Sequence, residues 1–142
     1  MSQITIYTDG GARGNPGPAA LGVYITNEKN QVLAKIGKYL GEATNNIAEY
    51  KAIVEGFNWL IQNKNKEKIE KVFFFMDSQL AVSQLTGLYK IKNDKIRELV
   101  FEIRTKENQL QIPIFYNHIT RDKNKQADFL VNLTLDNELK SY

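Results

Sequence analysis

The chain has 142 residues, a net charge of +3 and no cysteine. That length suits one domain with its own hydrophobic core, which we expect to span residues 1–142. Without cysteine the chain has no disulfide, no thiolate nucleophile and no zinc–cysteine site. We expect a cytoplasmic protein without membrane contact, because no secretory signal is visible and no apolar run approaches the roughly 18 residues of a membrane-spanning helix.

The first half of the chain predicts three strands followed by a helix. Alternating apolar residues indicate strands over residues 3–9, 20–26 and 32–40. A glycine-rich loop over residues 9–17 joins the first two strands. From residue 44 to residue 62, apolar side chains recur at helical spacing.

The second half predicts two more strands and three more helices. The continuous apolar run over residues 71–77 is typical of a central strand reached by a helical crossover. A solvated loop over residues 63–71 leads into it. A short helix over 78–86 and a longer one over 94–108 precede a strand over 110–118, in which Pro113 favours a sheet edge. The last helix carries Ala127, Leu130, Val131 and Leu135. This order predicts an α/β fold, a mixed sheet with helices packed on it.

Four carboxylates occupy positions that predict a shared site. Asp9 and Asp77 each end a predicted strand, where open α/β sheets bind ligands. Glu49 and Asp128 fall on the apolar stripes of their helices and should face the sheet. Each acid alone is also compatible with a cap, a turn or a surface charge. Together they would need cations, and an oxygen-only ligand set favours Mg²⁺ or Mn²⁺.

The chain resembles ribonuclease HI from residue 4 to about residue 135. The resemblance is carried by four segments in order, YTDGGARGNPGPAALG, TNNIAEYKAI, MDSQLAVSQLTG and NHITRDKNKQADFLVN. It implies a ribonuclease H-like fold, with three antiparallel strands and two parallel ones in a five-stranded sheet. It also implies a monomeric enzyme of the compact archaeal and bacterial type that cuts the RNA strand of RNA–DNA hybrids, leaving 5′-phosphate and 3′-hydroxyl ends. Two Mg²⁺ ions, or Mn²⁺, would be held by Asp9, Glu49, Asp77 and Asp128.

The resemblance also implies residues around the metal site. His118 would be an auxiliary catalytic group near the attacking water or in product release. Substrate contacts would come from Gly10, Gly11, Asn15, Thr44, Asn45, Asn46, Ser78, Gln79, Lys90 and Lys92. The loop glycines would let the backbone approach the minor groove of the hybrid, with its 2′-hydroxyls, although a plain hairpin connection is an alternative. Lysines after Gly87, with Tyr89 beside them, could bind phosphates of the DNA strand.

The sequence departs from some relatives after the second helix. Residues 87–93 stand where some bacterial relatives insert a basic helix. This departure keeps a second hypothesis open, in which the same fold also cuts double-stranded RNA. A third hypothesis, a non-catalytic nucleic-acid binding module, is disfavoured because all four carboxylates are present.

Overall fold

A computed structural model describes residues 2–87 and 90–140, so the expected contact of Tyr89 lies outside the described residues. A five-stranded sheet forms its centre, with strand order β3-β2-β1-β4-β5. The strands are β1 (Ser2–Ala12), β2 (Gly17–Thr26), β3 (Val32–Ala43), β4 (Ile69–Met76) and β5 (Ile114–His118). β1, β2 and β3 pair antiparallel, whereas β4 runs parallel to both β1 and β5. The mixed sheet is therefore confirmed, as is the edge position of β5.

Helices cover the two faces of the sheet unequally. They are α1 (Asn45–Glu67), α2 (Gln79–Leu85), α3 (Asp94–Leu110) and α4 (Lys125–Glu138), with a short 3₁₀ turn at Arg121–Lys123 before α4. α1 packs on β1 and β2 and is backed by α3, while α4 packs on β1, β2 and β3 from the opposite face. Among the described residues, no helix combines the length and the apolar character that a membrane span requires.

The main core lies between the sheet and α1. Ile4 and Ile6 from β1 and Phe74 from β4 are fully buried against Phe57 of α1. The rings of Phe57 and Phe74 stack with centroids 5.0 Å apart. Burying four such side chains contributes on the order of 1.5–3 kcal/mol each. This packing fixes α1 against the ends of β1 and β4, where the acidic residues lie.

The glycine-rich connection is shorter than predicted. β1 continues past Asp9 to Ala12, because Gly10 and Gly11 pair with Leu21 and Ala20 in the antiparallel ladder. Only residues 13–16 connect β1 to β2. The prediction that the strand ends at Asp9 is therefore wrong on the β2 side, although pairing with β4 does stop at Thr8.

Two other boundaries also differ from the prediction. The expected loop over residues 63–71 is wrong, because α1 continues to Glu67 and β4 begins at Ile69. Lys64 anchors this last turn of α1 by donating a hydrogen bond from Nζ to the carbonyl oxygen of Leu110 at 2.6 Å. β5 starts at Ile114 rather than at residue 110, because Leu110 is buried at the end of α3.

Candidate active site

Asp9 and Asp77 come together because the parallel pairing between β1 and β4 stops directly before both residues. The last parallel pair joins Thr8 to Met76, and each acid is the next residue in its strand's direction. Asp9 is buried, with 8% of its surface exposed, and Asp77 is half-buried. The carboxyl ends of the parallel strands thus present both side chains at one edge of the sheet, as predicted.

Glu49 reaches the same edge because α1 crosses β1 in direct backbone contact. A Cβ atom at Gly10 would lie 2.2 Å from the carbonyl carbon of Ala48, so only glycine permits this approach. One carboxylate oxygen from each of Asp9, Glu49 and Asp77 lies within 4.8 Å of the other two. The space beside the Cα of Gly10 holds α1, while Gly10 also lines the acidic cleft, so its contact with a substrate stays a prediction.

Asp128 completes the group from the opposite face. It lies in the first turn of α4 and, with the other three acids, lines an open cleft of about 340 Å³. Its carboxylate helps to raise the pKa of Asp9. Asn132 donates from Nδ2 to Oδ1 of Asp128 at 3.3 Å, which restrains the carboxylate. The structure therefore brings the four predicted carboxylates to one place.

The acids in this cleft repel one another. Burial, together with the neighbouring Asp77 and Asp128, raises the pKa of Asp9 to about 8. Burial likewise raises the pKa of Glu49 to about 9, helped by Asp9 and Asp77 and opposed by Arg121. Proton uptake or cation binding would each relieve this repulsion. Carboxylate oxygens at this spacing could hold a divalent metal ion, and a hard cation fits the donor set.

Sequence reasoning missed Asn124, which contacts Asp77, and Arg121, which lines this cleft. The side chain of Asn124 is fully buried and donates from Nδ2 to the carbonyl oxygen of Thr8 at 2.9 Å and to Oδ2 of Asp77 at 3.1 Å. Arg121, in the 3₁₀ turn, lines the cleft and opposes the rise in the pKa of Glu49. Neither residue carries a periodic or spacing signal, because each acts through contacts far away in the chain.

His118 lies near the cleft without lining it. It is exposed at the end of β5, where it pairs with Met76, the residue before Asp77. The backbone N–H of Ile119 donates to the carbonyl oxygen of Met76 at 2.9 Å, which fixes the chain after the histidine. His118 therefore lies beside the end of β4, and β4 separates it from Asp9 on β1.

Most of the expected substrate residues line a second cleft, of about 550 Å³. Six of the ten lie there, namely Asn15, Thr44, Asn45, Asn46, Lys90 and Lys92. Two hydrogen bonds build its wall, from the Ala12 N–H to Asn45 Oδ1 at 2.8 Å and from the Asn45 N–H to Asn15 Oδ1 at 3.0 Å. Asn45 lines both this cleft and the acidic one, so the two clefts adjoin.

The remaining expected substrate residues serve the fold or the acidic cleft. Ser78 caps α2 by accepting a hydrogen bond from the Ala81 N–H, and Gln79 begins that helix beside Asp77. Thr44, in the second cleft, similarly caps α1. Gly11 lines the acidic cleft. A Cβ atom added at Gly11 would have Val131 as its nearest neighbour, at 3.8 Å.

Comparison with known proteins identifies the family. Residues 7–134 match the model of the family described as reverse transcriptase-like. A crystal structure of LC11-RNase H1 in complex with an RNA/DNA hybrid is similar, with a TM-score of 0.91 and 42% identity over 96% of this chain and 99% of that one. The chain belongs to the ribonuclease HI family. A ribonuclease HI of Halobacterium salinarum is 32% identical over 94% of this chain and 65% of its own length.

Other members of the ribonuclease HI family are longer than this chain. The bifunctional protein Rv2228c of Mycobacterium tuberculosis is 34% identical over 135 residues, which are 94% of this chain and 36% of that protein. The chain thus spans about a third of the length of the first curated relatives it matches. Residues 7–134, which match the family model, include all four carboxylates of this chain.

Proposed function

We propose that this protein is a metal-dependent endonuclease that hydrolyses the RNA strand of RNA–DNA hybrids. The observation that carries the proposal is the meeting of Asp9, Glu49 and Asp77, with oxygens within 4.8 Å of one another, at the floor of an open cleft. The similarity to LC11-RNase H1, which was crystallised with an RNA/DNA hybrid, supports the substrate class.

The four acids would hold two Mg²⁺ ions, with Mn²⁺ as an alternative. Asp9, Glu49, Asp77 and Asp128 offer only oxygen ligands, which Mg²⁺ prefers. When bound, a pair of such ions lowers the pKa of a water molecule and neutralises charge on the phosphate. The raised pKa values of Asp9 and Glu49 support this role, because cation binding would remove their mutual repulsion.

The chain's own residues would orient the reaction. Asn124 holds Asp77 by its hydrogen bond, and Asn132 holds Asp128. In the proposed step, a water oxygen bonds to the phosphorus and the bond from phosphorus to the 3′-oxygen breaks. The water gives up one proton and the leaving 3′-oxygen takes one up, which gives 5′-phosphate and 3′-hydroxyl ends. Arg121 at the cleft edge would stabilise negative charge on the phosphate.

Recognition of the hybrid would use the second cleft. Side-chain amides of Asn15, Asn45 and Asn46 can donate to and accept from sugar hydroxyls and base edges in a shallow minor groove. Lys90 and Lys92, with the helix cap Thr44, would receive the phosphates of the DNA strand. His118 is proposed as an auxiliary group near the end of β4. A cytoplasmic location, a monomeric state and a single catalytic domain over residues 1–142 stay predictions.

Labelled duplexes test this function. RNA–DNA, RNA–RNA and DNA–DNA of one sequence should be incubated with the protein in Mg²⁺ and in EDTA. We expect cleavage of the hybrid alone, only with Mg²⁺, and no cleavage by Asp9→Asn. Comparable cleavage of RNA–RNA would select the broader duplex nuclease instead. Binding of the hybrid without any cleavage would select a non-catalytic module and contradict the proposal.

The His118→Ala variant should be measured in the same cleavage assay. We expect slower cleavage that remains measurable, because the four carboxylates are intact in this variant. An unchanged rate would remove His118 from the active site.

A further inference from the structure

An aromatic surface lies on the sheet face that α4 only partly covers. Tyr24, Tyr7 and Phe75 occupy one row across β2, β1 and β4, because they are register partners. Phe73 and Phe115 occupy the next row across β4 and β5. α4 packs on β1, β2 and β3, and the rings on β4 and β5 keep solvent exposure, 45% for Phe115. We call these five residues, which lie in two adjacent rows, the aromatic row.

The rings of the aromatic row form two sets of contacts, one among Tyr24, Tyr7 and Phe75 and one between Phe73 and Phe115. Tyr7 stacks on Phe75 with centroids 5.4 Å apart, and Phe73 stacks on Phe115 at 5.2 Å. The ring centroids of Tyr24 and Tyr7 lie 6.2 Å apart and the ring planes are tilted by 55°, so these two rings do not stack face to face. None of these rings is fully buried, which is unusual for neighbouring aromatic side chains on one sheet face.

A cleft of about 390 Å³ opens at the tyrosine end of the aromatic row. Tyr7 and Tyr24 line it together with Lys123 and Lys125 from the segment that leads into α4. Its other lining groups are Thr26, Asn30, Asp122 and Gln126. Two lysines against one aspartate leave the cleft positively charged. Lys71 extends the positive charge along the sheet, with Nζ 6.0 Å from the ring centre of Phe73.

The cleft joins aromatic, cationic and amide groups in one small volume. Aromatic rings stack on unpaired bases, lysines neutralise phosphates, and side-chain amides of Asn30 and Gln126 can meet base edges. A base-paired duplex offers no free base faces, whereas a single strand does. The charge and the rings therefore favour a single-stranded nucleic acid over a duplex. The same charge disfavours a second copy of this chain, whose aromatic row would bring its own lysines.

We propose that the cleft between Tyr7, Tyr24, Lys123 and Lys125 is a second nucleic-acid site, which binds single-stranded RNA or DNA by stacking. The bound nucleic acid continues over the aromatic row toward Phe115. Tyr7 lies on the same face of β1 as Asp9, two residues before it, so a strand in the cleft runs close to the acidic cleft. The site takes the unpaired flank of a nucleic acid, and its binding does not depend on the carboxylates or on metal.

Binding of ten-residue single strands tests the proposal. Fluorescence anisotropy should be measured with labelled dT10 and rU10 in EDTA, which separates this binding from cleavage. We expect Tyr24→Leu to weaken binding about tenfold, because a stacking ring is lost, while Tyr24→Phe keeps it. The matched control is Phe101→Leu, an aromatic on α3 that is 74% exposed on another side of the molecule. Equal affinities of Tyr24→Leu and the unchanged protein would overturn the proposal.

Charge and location are tested separately. Lys125→Ala should weaken binding and reduce its salt dependence, whereas Lys66→Ala, the same charge change at an exposed position on α1, should do neither.

Photo-crosslinking of a nucleic-acid strand carrying 5-iodouracil should modify Tyr7 or Tyr24. Crosslinks confined to the cleft of Asn15 and Asn45 would overturn the proposal. So would sedimentation that shows a dimer dissociated by Tyr24→Leu, because the surface would then be an interface between copies.

Discussion

The position of Asp77 depends on one buried amide. Asn124 links the carbonyl oxygen of Thr8 to Oδ2 of Asp77, and no described residue hydrogen-bonds to its own Oδ1. We expect Asn124→Ala to weaken Mg²⁺ or Mn²⁺ binding by about 10- to 100-fold, because groups that orient metal ligands contribute at that level. The measurement is a calorimetric titration with Mn²⁺, with circular dichroism to verify folding.

A second asparagine provides the control for Asn124. Asn63 donates from Nδ2 to the carbonyl oxygen of Trp59 at 2.8 Å within α1, so Asn63→Ala removes one amide hydrogen bond where Asn124→Ala removes two. It should leave metal affinity unchanged. If both variants bind Mn²⁺ equally well, Asn124 has only a structural role. Loss of a buried hydrogen bond alone costs about 1–3 kcal/mol of stability, so the affinity is the readout that separates the two roles.

At the scale of elements, the distance between β1 and α1 decides whether Glu49 can reach Asp9. A Cβ at position 10 would stand 2.2 Å from the backbone carbon of Ala48 and 2.4 Å from the nitrogen of Glu49. Backbone cannot rotate away as a side chain can. We expect Gly10→Ala to lower the free energy of unfolding by about 3 kcal/mol or more and to displace Glu49, with loss of activity. Chemical denaturation and the hybrid-cleavage assay measure the two effects.

The adjacent glycine is the matched control. A Cβ at Gly11 would meet only Val131, at an ordinary 3.8 Å. Gly11→Ala should therefore change the free energy of unfolding by much less than Gly10→Ala. Equal destabilisation by the two substitutions would mean that general strand propensity, and not the crossing of α1, explains the glycine at position 10.

These elements also show what the sequence could and could not predict. Asp9 and Asp77 were predictable because strand periodicity and the apolar run over residues 71–77 placed both acids at the ends of parallel strands. The length of β1 was not predictable, because glycines that usually mark a turn pair here with β2 in the antiparallel ladder. Asn124 was not either, since its partner Thr8 lies 116 residues away and no local pattern encodes that contact.

At the scale of the molecule, positive charge is distributed between two surfaces. Lys90 and Lys92 line the cleft proposed for the hybrid, while Lys123 and Lys125 line the one proposed for single strands. A net charge of only +3 therefore understates the attraction for nucleic acids, because four of the 16 acidic residues are gathered in the acidic cleft. The repulsion among these four acids lowers the free energy of unfolding, by an amount that depends on pH.

Stability without metal should fall as pH rises. The pKa of Asp9 is about 8 and that of Glu49 about 9 in the folded chain, against ordinary values of 3.8 and 4.5. Between pH 4 and pH 9 the folded state therefore binds more protons than the unfolded state does. The free energy of unfolding must decrease with rising pH over this window. Denaturation in EDTA at pH 5, 7 and 9 should show this decline.

Removal of one acid should flatten the decline. Asp9→Asn cannot ionise and relieves the charge on Glu49 and Asp77, so at pH 8 in EDTA it should raise the free energy of unfolding by about 1 kcal/mol. Glu98→Gln, the same charge change at an exposed position on α3, should leave the slope unchanged. Saturating Mg²⁺ should stabilise the unchanged protein more at pH 8 than at pH 5, because at pH 5 protons compete for the same oxygens. A stability that is flat or rises with pH in EDTA would contradict the clustering of these carboxylates.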